Sequence, residues 1–186
     1  MFKLLSVLAL SFTCATGFSK PTISPVEIHK SLLPAFAKGL INWKVGQKMG
    51  HNIALMGMQG TMDTVVAEET DKGFWLKQAI AISGMNQTIE TLISKEDGTV
   101  LEMKVNGQKQ TPPAPPEIEV EEQRQENVTV PAGAFDTMYV KIKDLKTNEP
   151  SEIWINQQLV PINGMVKMSA TSSGYKVDAE LTSYKM

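Results

Sequence analysis

The segment that decides the fold class lies near the C-terminus and reads Tyr175-Lys176-Val177-Asp178-Ala179-Glu180-Leu181. Apolar and polar side chains alternate along it without interruption. Because successive side chains of a β-strand point to opposite sides, this alternation predicts a strand with one dry and one wet face. An amphipathic helix would instead repeat its apolar positions every three or four residues.

The same period of two recurs through most of the chain. It predicts ten strands, separated mostly by short turns that contain glycine. The predicted strands cover residues 49–58, 61–69, 73–82, 87–94, 99–106, 125–130, 134–143, 151–156, 164–170 and 175–184. Short turns join neighbouring antiparallel strands, so the pattern predicts a mainly β fold, a curved antiparallel sheet or unclosed half-barrel of about 9–11 strands.

One helix is predicted over residues 25–38, ahead of the strands. Ser24 can cap it, Pro25 suits the first helical position and Glu27 completes a capping box. The apolar residues behind this start recur at helical spacing, although Pro34 interrupts the segment. Because such a helix must bury its apolar stripe, we expect it to pack on the concave face of the sheet.

A proline-rich connector over residues 109–117 separates two groups of predicted strands. Four of the five residues 112–116 are proline, which predicts a stiff, extended segment rather than a central strand. The glutamates that follow are typical of a solvated face rather than a metal site. Each group of strands alone would have little to cover it, so residues 20–186 are interpreted as a single β domain.

The first 19 residues are typical of a cleavable secretory signal. Lys3 precedes the apolar block 4–12, and small residues follow as far as Ser19, the favoured cleavage point, with Ala15 and Gly17 as alternatives. The block is about half the ~20 residues that span a bilayer, so no transmembrane segment is expected in the mature chain. The sequence therefore predicts a periplasmic or secreted protein.

Cys14 is the only cysteine in the chain. The residues before it match a lipoprotein signal poorly, so a lipid anchor at Cys14 is the less favoured alternative. If Cys14 leaves with the signal, no disulfide can form within the mature chain. Stability must then come from burial of the core.

The charge balance and the motifs exclude several functional classes. The chain has 18 basic and 20 acidic residues, and the basic ones are scattered singly, which disfavours nucleic acid as a partner. It contains no glycine-rich phosphate loop, no metalloprotease helix, no Cys-x-x-Cys and no nucleophile elbow. The only histidines are His29 and His51. We therefore expect neither an enzyme nor a cofactor.

Methionine is the unusual residue, with 11 in the chain. Its flexible thioether lines surfaces that adapt to several apolar shapes, which favours a binding module for an apolar ligand such as a lipid or an acyl chain. The candidate cavity residues are Leu101, Met103, Val140, Ile142, Val166 and Met168. The alternative is that methionine simply fills the core of a structural or protein-interaction domain with an envelope protein as partner.

A weaker hypothesis concerns copper. Thioether and imidazole groups suit Cu(I), and Met49, His51, Met56 and Met58 lie close together in sequence. The weak candidate ligands are His51, Met56 and Met58. A bulge near Gly50 or Gly57 would be needed to bring them together.

The C-terminal half carries a series of recognisable motifs. They are Val130-Pro131-Ala132-Gly133-Ala134-Phe135, then Ile153-Trp154-Ile155, then Val160-Pro161-Ile162-Asn163-Gly164-Met165-Val166-Lys167-Met168. This series resembles a group of uncharacterised secreted bacterial β-proteins with VPAGxF and VPxxGxVKM motifs. More loosely, the chain is similar to the Lol-type lipoprotein-carrier superfamily, which implies an unclosed half-barrel that holds lipid or acyl chains. The resemblance implies a fold and assigns no catalytic residue.

Overall fold

The computed structural model describes residues 41–114, 116–172 and 174–186, and every regular element among them is a β-strand. The eleven strands are β1 (Lys48–Leu55), β2 (Met58–Glu69), β3 (Gly73–Ile82), β4 (Met85–Ser94), β5 (Val100–Val105), β6 (Gln108–Gln110), β7 (Ile118–Val130), β8 (Gly133–Asp144), β9 (Pro150–Ile155), β10 (Met165–Ser172) and β11 (Tyr175–Lys185). They form one antiparallel sheet, so the predicted sheet is confirmed.

The strand order is β6-β5-β4-β3-β2-β1-β11-β10-β9-β8-β7. Each half of the chain is a simple meander of neighbouring strands, and the two meanders join where β1 pairs with β11. The first and last strands therefore lie in the middle of the sheet. The strands from the middle of the sequence, β6 and β7, form its two edges.

The predicted fold class is wrong in its helix. The described residues contain no helix, and the segment 25–38 for which it was predicted lies outside them. In the described part, the sheet curves around its own dry face, and the loop 156–164 lies over one end of that face. The core in this part is therefore built from strand and loop side chains.

The connector between the edge strands shows that the sheet is curved. Laid flat, eleven strands would place β6 and β7 about 48 Å apart. The chain from Gln110 to Ile118 spans at most about 28 Å when fully extended. The two edges must therefore approach each other, and the dry face becomes the concave one. We call the gap between β6 and β7 the open seam.

The concave face carries the core. Its central cluster contains 13 buried residues from eight strands, among them Ile53, Met62, Met103 and Met168. Burial of this much apolar surface is worth roughly 25 cal/mol for each Å² removed from water. The centre of the concave face is therefore packed by the protein's own side chains.

One end of the concave face is closed by the loop 156–164. Val160 is buried in a second cluster with Met49 and Leu181, and the Trp43 indole N–H donates a hydrogen bond of 2.9 Å to the carbonyl of Ile162. Gly164 permits this loop, because its φ is +72° and a Cβ there would lie 2.9 Å from the backbone nitrogen of Gln157. The loop therefore packs over this end of the concave face.

Candidate ligand site at the open seam

The six predicted cavity residues fall into different environments. Met103 and Met168 are fully buried in the central cluster, and Val166 is fully buried in the second cluster. Val140 and Ile142 are half-buried on β8, and Ile142 packs against the central cluster. Leu101 is 42% exposed. The structure therefore brings Met103, Met168 and Ile142 together, and leaves Leu101 apart from them.

A partly exposed apolar strip borders the open seam. Met138, Val140 and Ile142 of β8 pair with residues on the concave face of β9, and Ile142 pairs on its other side with Val120 of β7. Paired residues of antiparallel strands share a face, so all four belong to the concave face. The three β8 residues are half-buried and Val120 is 56% exposed. We call these four residues the seam strip.

Two residues of β5 complete the apolar surface. Val100 and Val105 are half-buried and pack against the same central cluster as Ile142. They lie one strand in from the edge strand β6, whereas Ile142 lies one strand in from the edge strand β7. Accessible apolar side chains therefore lie near both sides of the open seam, and the fully buried ones lie deeper.

The sequence pattern did not identify Val120 or Met138 as part of the site. Val120 stands in the glutamate-rich run that we interpreted as a solvated face. Met138 is an apolar residue in the alternating pattern of a predicted strand. No feature of the sequence distinguishes it from the methionines of the core. Knowledge of the β7–β8 register is required to place both on the concave face.

His51 is a buried polar group on the concave face. Its Nε2 lies 3.0 Å from the carbonyl oxygen of Met165 and donates a hydrogen bond to it. Burial lowers the pKa of the imidazole, and the bond to Met165 only partly opposes this effect. Nδ1 has no hydrogen-bond partner among the described residues. His51 is therefore held as a neutral side chain in a dry environment.

The three candidate copper ligands are not brought together. His51 pairs with Met62, whereas Met58 pairs with Leu55 at the turn end of β2, about 13 Å along the strand. Met56 lies in the β1–β2 turn and is 47% exposed. Among the described residues, no group of three or more histidine, cysteine, aspartate or glutamate side chains is arranged to hold a metal ion.

The outer face of the second meander carries a row of aromatic and charged side chains. The Arg124 guanidinium lies 3.7 Å from the centre of the Tyr139 ring, which packs edge-on against Trp154. The ammonium of Lys167 lies 5.6 Å from the Trp154 ring and forms a 2.9 Å ion pair with Glu180. These contacts bury both rings, although they lie on the outer surface.

The first meander carries a shallow cleft at the corresponding place. It measures about 120 Å³ and is lined by Ala67, Glu68, Trp75, Leu76, Lys77, Glu90 and Lys104. The ammonium of Lys104 lies 4.3 Å from the centre of the Trp75 ring. Lys77 and Glu90, which face each other across β3 and β4, both line this cleft.

Comparison with known proteins gives a distant structural likeness. No family model matches the chain, and no curated protein matches it. A solved structure from Bacteroides fragilis, of a protein with a YmcC-like fold for which export has been predicted, shares 14% identity, with a TM-score of 0.43. The match covers 77% of this chain and 97% of that one. This likeness is too distant to transfer a function.

Among the described residues, no helix has the length and the apolar character needed to cross a bilayer.

Proposed function

We propose that this protein is an exported, non-catalytic binding protein that takes up an apolar molecule at the open seam. The observation that carries the proposal is the seam strip, where apolar side chains of the concave face remain accessible beside fully buried ones. Val120 and the half-buried β8 residues offer a ligand contact without displacing the packed centre. The signal-like residues 1–19 support export.

The arrangement restricts the size of the ligand. Ligand pockets usually enclose most of the ligand in a preformed apolar cavity. Here the central cluster already fills the deepest part of the concave face, and the loop 156–164 closes one end. The ligand is therefore a single slender apolar chain that lies along the seam strip.

The packed centre also favours a second candidate function. A concave face filled by its own side chains is the expected core of a structural or protein-interaction domain, with methionine as core filler. In that case the seam strip is a set of ordinary surface side chains, because scattered exposed apolar residues are common in soluble proteins. The two functions differ in whether an apolar probe binds at the strip.

The test is a fluorescence titration with N-phenyl-1-naphthylamine, an uncharged apolar probe, on delipidated protein secreted by its native route. Val120→Glu places a charge in the strip and is expected to weaken saturable probe binding at least about tenfold. Leu145→Glu is the matched control, because Leu145 is 53% exposed in the β8–β9 turn and should leave binding unchanged.

Absence of saturable binding by the wild-type protein would refute the proposed function and support the interaction domain. Equal binding by both variants would move the probe site away from the seam strip. Far-UV circular dichroism should be unchanged in both variants, because both positions are exposed.

A further inference from the structure

The open seam is bordered by glutamine side chains on its concave side. Gln110 and Gln108 of β6 pair with Met103 and Val105, and Gln123 and Gln125 of β7 pair with Val140 and Met138. Since paired residues share a face, all four glutamines lie on the concave face, two on each edge strand. Each edge strand therefore presents amide groups beside apolar core residues.

Among the described residues, these four amides have no hydrogen-bond partners. All four side chains are exposed. Each carboxamide offers two donors and one acceptor oxygen. The rim of the seam can therefore donate to and accept from a ligand that lies along the strip.

Charged side chains of the same edge region lie on the opposite face. Lys109 of β6 forms an ion pair with Glu102, Arg124 of β7 pairs with Glu122 and Glu126, and Lys141 of β8 pairs with Glu121. The register places Lys109 and Arg124 on the outer face, next to Lys104 and Tyr139. Positive and negative groups are thus already paired with each other, outside the seam.

The choice of glutamine on the concave side is informative. Natural sheets usually protect open edges with charged side chains, often inward-pointing ones. A charge facing the seam would repel an apolar chain because of the cost of desolvating it. Uncharged amides protect the edge and still tolerate an apolar neighbour, provided that the ligand supplies hydrogen-bonding groups.

Further uncharged polar atoms lie deeper on the same face. Nδ1 of His51, Oε1 of Gln87 and Oγ1 of Thr91 are buried and have no hydrogen-bond partner among the described residues. Thr91 pairs with Met103, which in turn pairs with Gln110. Thr91 is therefore separated from the rim amide of Gln110 by the buried side chain of Met103.

From this distribution of amides and charges we infer that the ligand is an apolar chain with an uncharged hydrogen-bonding group, such as an ester, an amide or an alcohol. This inference rests on the proposed function and specifies its ligand. A free carboxylate or phosphate would find no cation on the concave side of the seam among the described residues. Its charge would be desolvated without an ionic partner, which disfavours binding.

The test compares two lipids with the same chain, monoolein and oleate, at pH 8 where oleate is ionised. Each is titrated, below its aggregation concentration, against wild-type protein loaded with N-phenyl-1-naphthylamine. Monoolein is expected to displace the probe at a concentration about tenfold lower than oleate, a difference the size of one neutral hydrogen bond. Oleate binding as tightly as monoolein would overturn the inference and leave the proposed function intact.

A double variant provides the second part of this lipid displacement test. Gln110→Lys with Gln123→Lys supplies two cations to the seam and should improve oleate binding about tenfold relative to monoolein. Gln59→Lys is the matched control, because Gln59 is exposed on the outer face opposite Ala54 and should leave the ratio unchanged.

The outcomes separate the two hypotheses. If the probe binds but neither lipid displaces it, or if the double variant leaves the lipid ratio unchanged, the inference fails and the proposed function stands. If the wild-type protein does not bind the probe at all, the proposed function itself fails. All variants lie at exposed positions, and their unfolding by urea serves as the control for folding.

Discussion

The two faces of the sheet remove their apolar side chains from water in different ways. On β8 the concave residues Val140 and Ile142 alternate with Lys141 and Lys143 on the outer face. The concave face excludes water through apolar packing and carries uncharged polar groups. The outer face buries aromatic rings under long charged side chains, whose apolar stems cover the rings while their charged ends stay in water. One strand therefore builds two surfaces of different chemistry.

The outer face itself differs between the two meanders. In the second, Glu126 accepts a hydrogen bond of 3.1 Å from the indole N–H of Trp154 and also pairs with Arg124, which closes the row. The bond from Trp154 is the largest of the effects that lower the pKa of the Glu126 carboxyl. In the first, Trp75 is half-buried beside a cleft, and the ammonium of Lys104 lies over its ring. Of the two outer tryptophans, the one with ion-paired neighbours is therefore the more buried.

The largest effect should come from placing a charge on the concave face. Met103→Asp puts a carboxylate in the fully buried centre and should cost upwards of about 5 kcal/mol, enough to abolish the native state. Met85→Asp, at a methionine that is 56% exposed, should change the free energy of unfolding by less than about 0.5 kcal/mol. Urea unfolding followed by circular dichroism measures both. A folded Met103→Asp protein would show that water reaches the centre of the concave face.

A smaller effect should separate the two outer tryptophans. Trp154→Ala removes a buried ring and its contacts to Tyr139 and Lys167, and should lower the free energy of unfolding by about 3 kcal/mol. Trp75→Ala removes a half-buried ring with one cation contact and should cost about 1 kcal/mol. The same urea titration compares them. Equal losses would mean that the contacts of Trp154 with Tyr139, Lys167 and Glu126 add nothing to the stability of the fold.

The smallest effect should be the pH dependence due to His51. Because burial lowers the pKa of His51 in the folded state, the unfolded chain binds a proton first as the pH falls below about 6.5. Stability should therefore be unaffected by this group above pH 7.5. Below pH 6.5 it should decrease by at most about 1.4 kcal/mol per pH unit, until the folded protein is protonated too.

His51→Gln is the control, since glutamine stays neutral and keeps a donor for the Met165 carbonyl. The difference between the pH profiles of wild type and variant isolates this group from carboxylates. Parallel profiles between pH 7.5 and pH 5 would show that His51 takes up its proton equally in both states.

Alternation identified the strands that have one dry face. All ten predicted strands correspond to strands of the sheet, and Gly73–Ile82 agrees at both ends. The alternation of apolar and polar residues is lost in the edge strands β6 and β7. Gln108–Gln110 contains no apolar residue and precedes the prolines, so β6 was missed. Most of β7 is exposed on both faces, so only its last six residues were predicted.

The candidate site was predictable only as far as alternation holds. Regular alternation along the strand would place Leu101 on the same face as Met103, but β5 contains a bulge. Leu92 pairs with Glu102, whereas Ile93 pairs with Val100, so Leu101 is the extra residue and turns outward. A bulge of this kind has no apolar signature. The glutamines of the seam also share no pattern in sequence, because the two edges meet only through the curvature of the sheet.

The position of β1 beside β11 has a consequence for how the chain folds. Among the described strands, every other pair joins neighbours in sequence, whereas Ile53 meets Ala179, 126 residues later. Loop-closure entropy makes such a contact slow to form, so we expect each meander to assemble first and the central pair to join last. The concave face that encloses the core would then not exist in either half alone. It would come into being in the step that unites the first strand with the last.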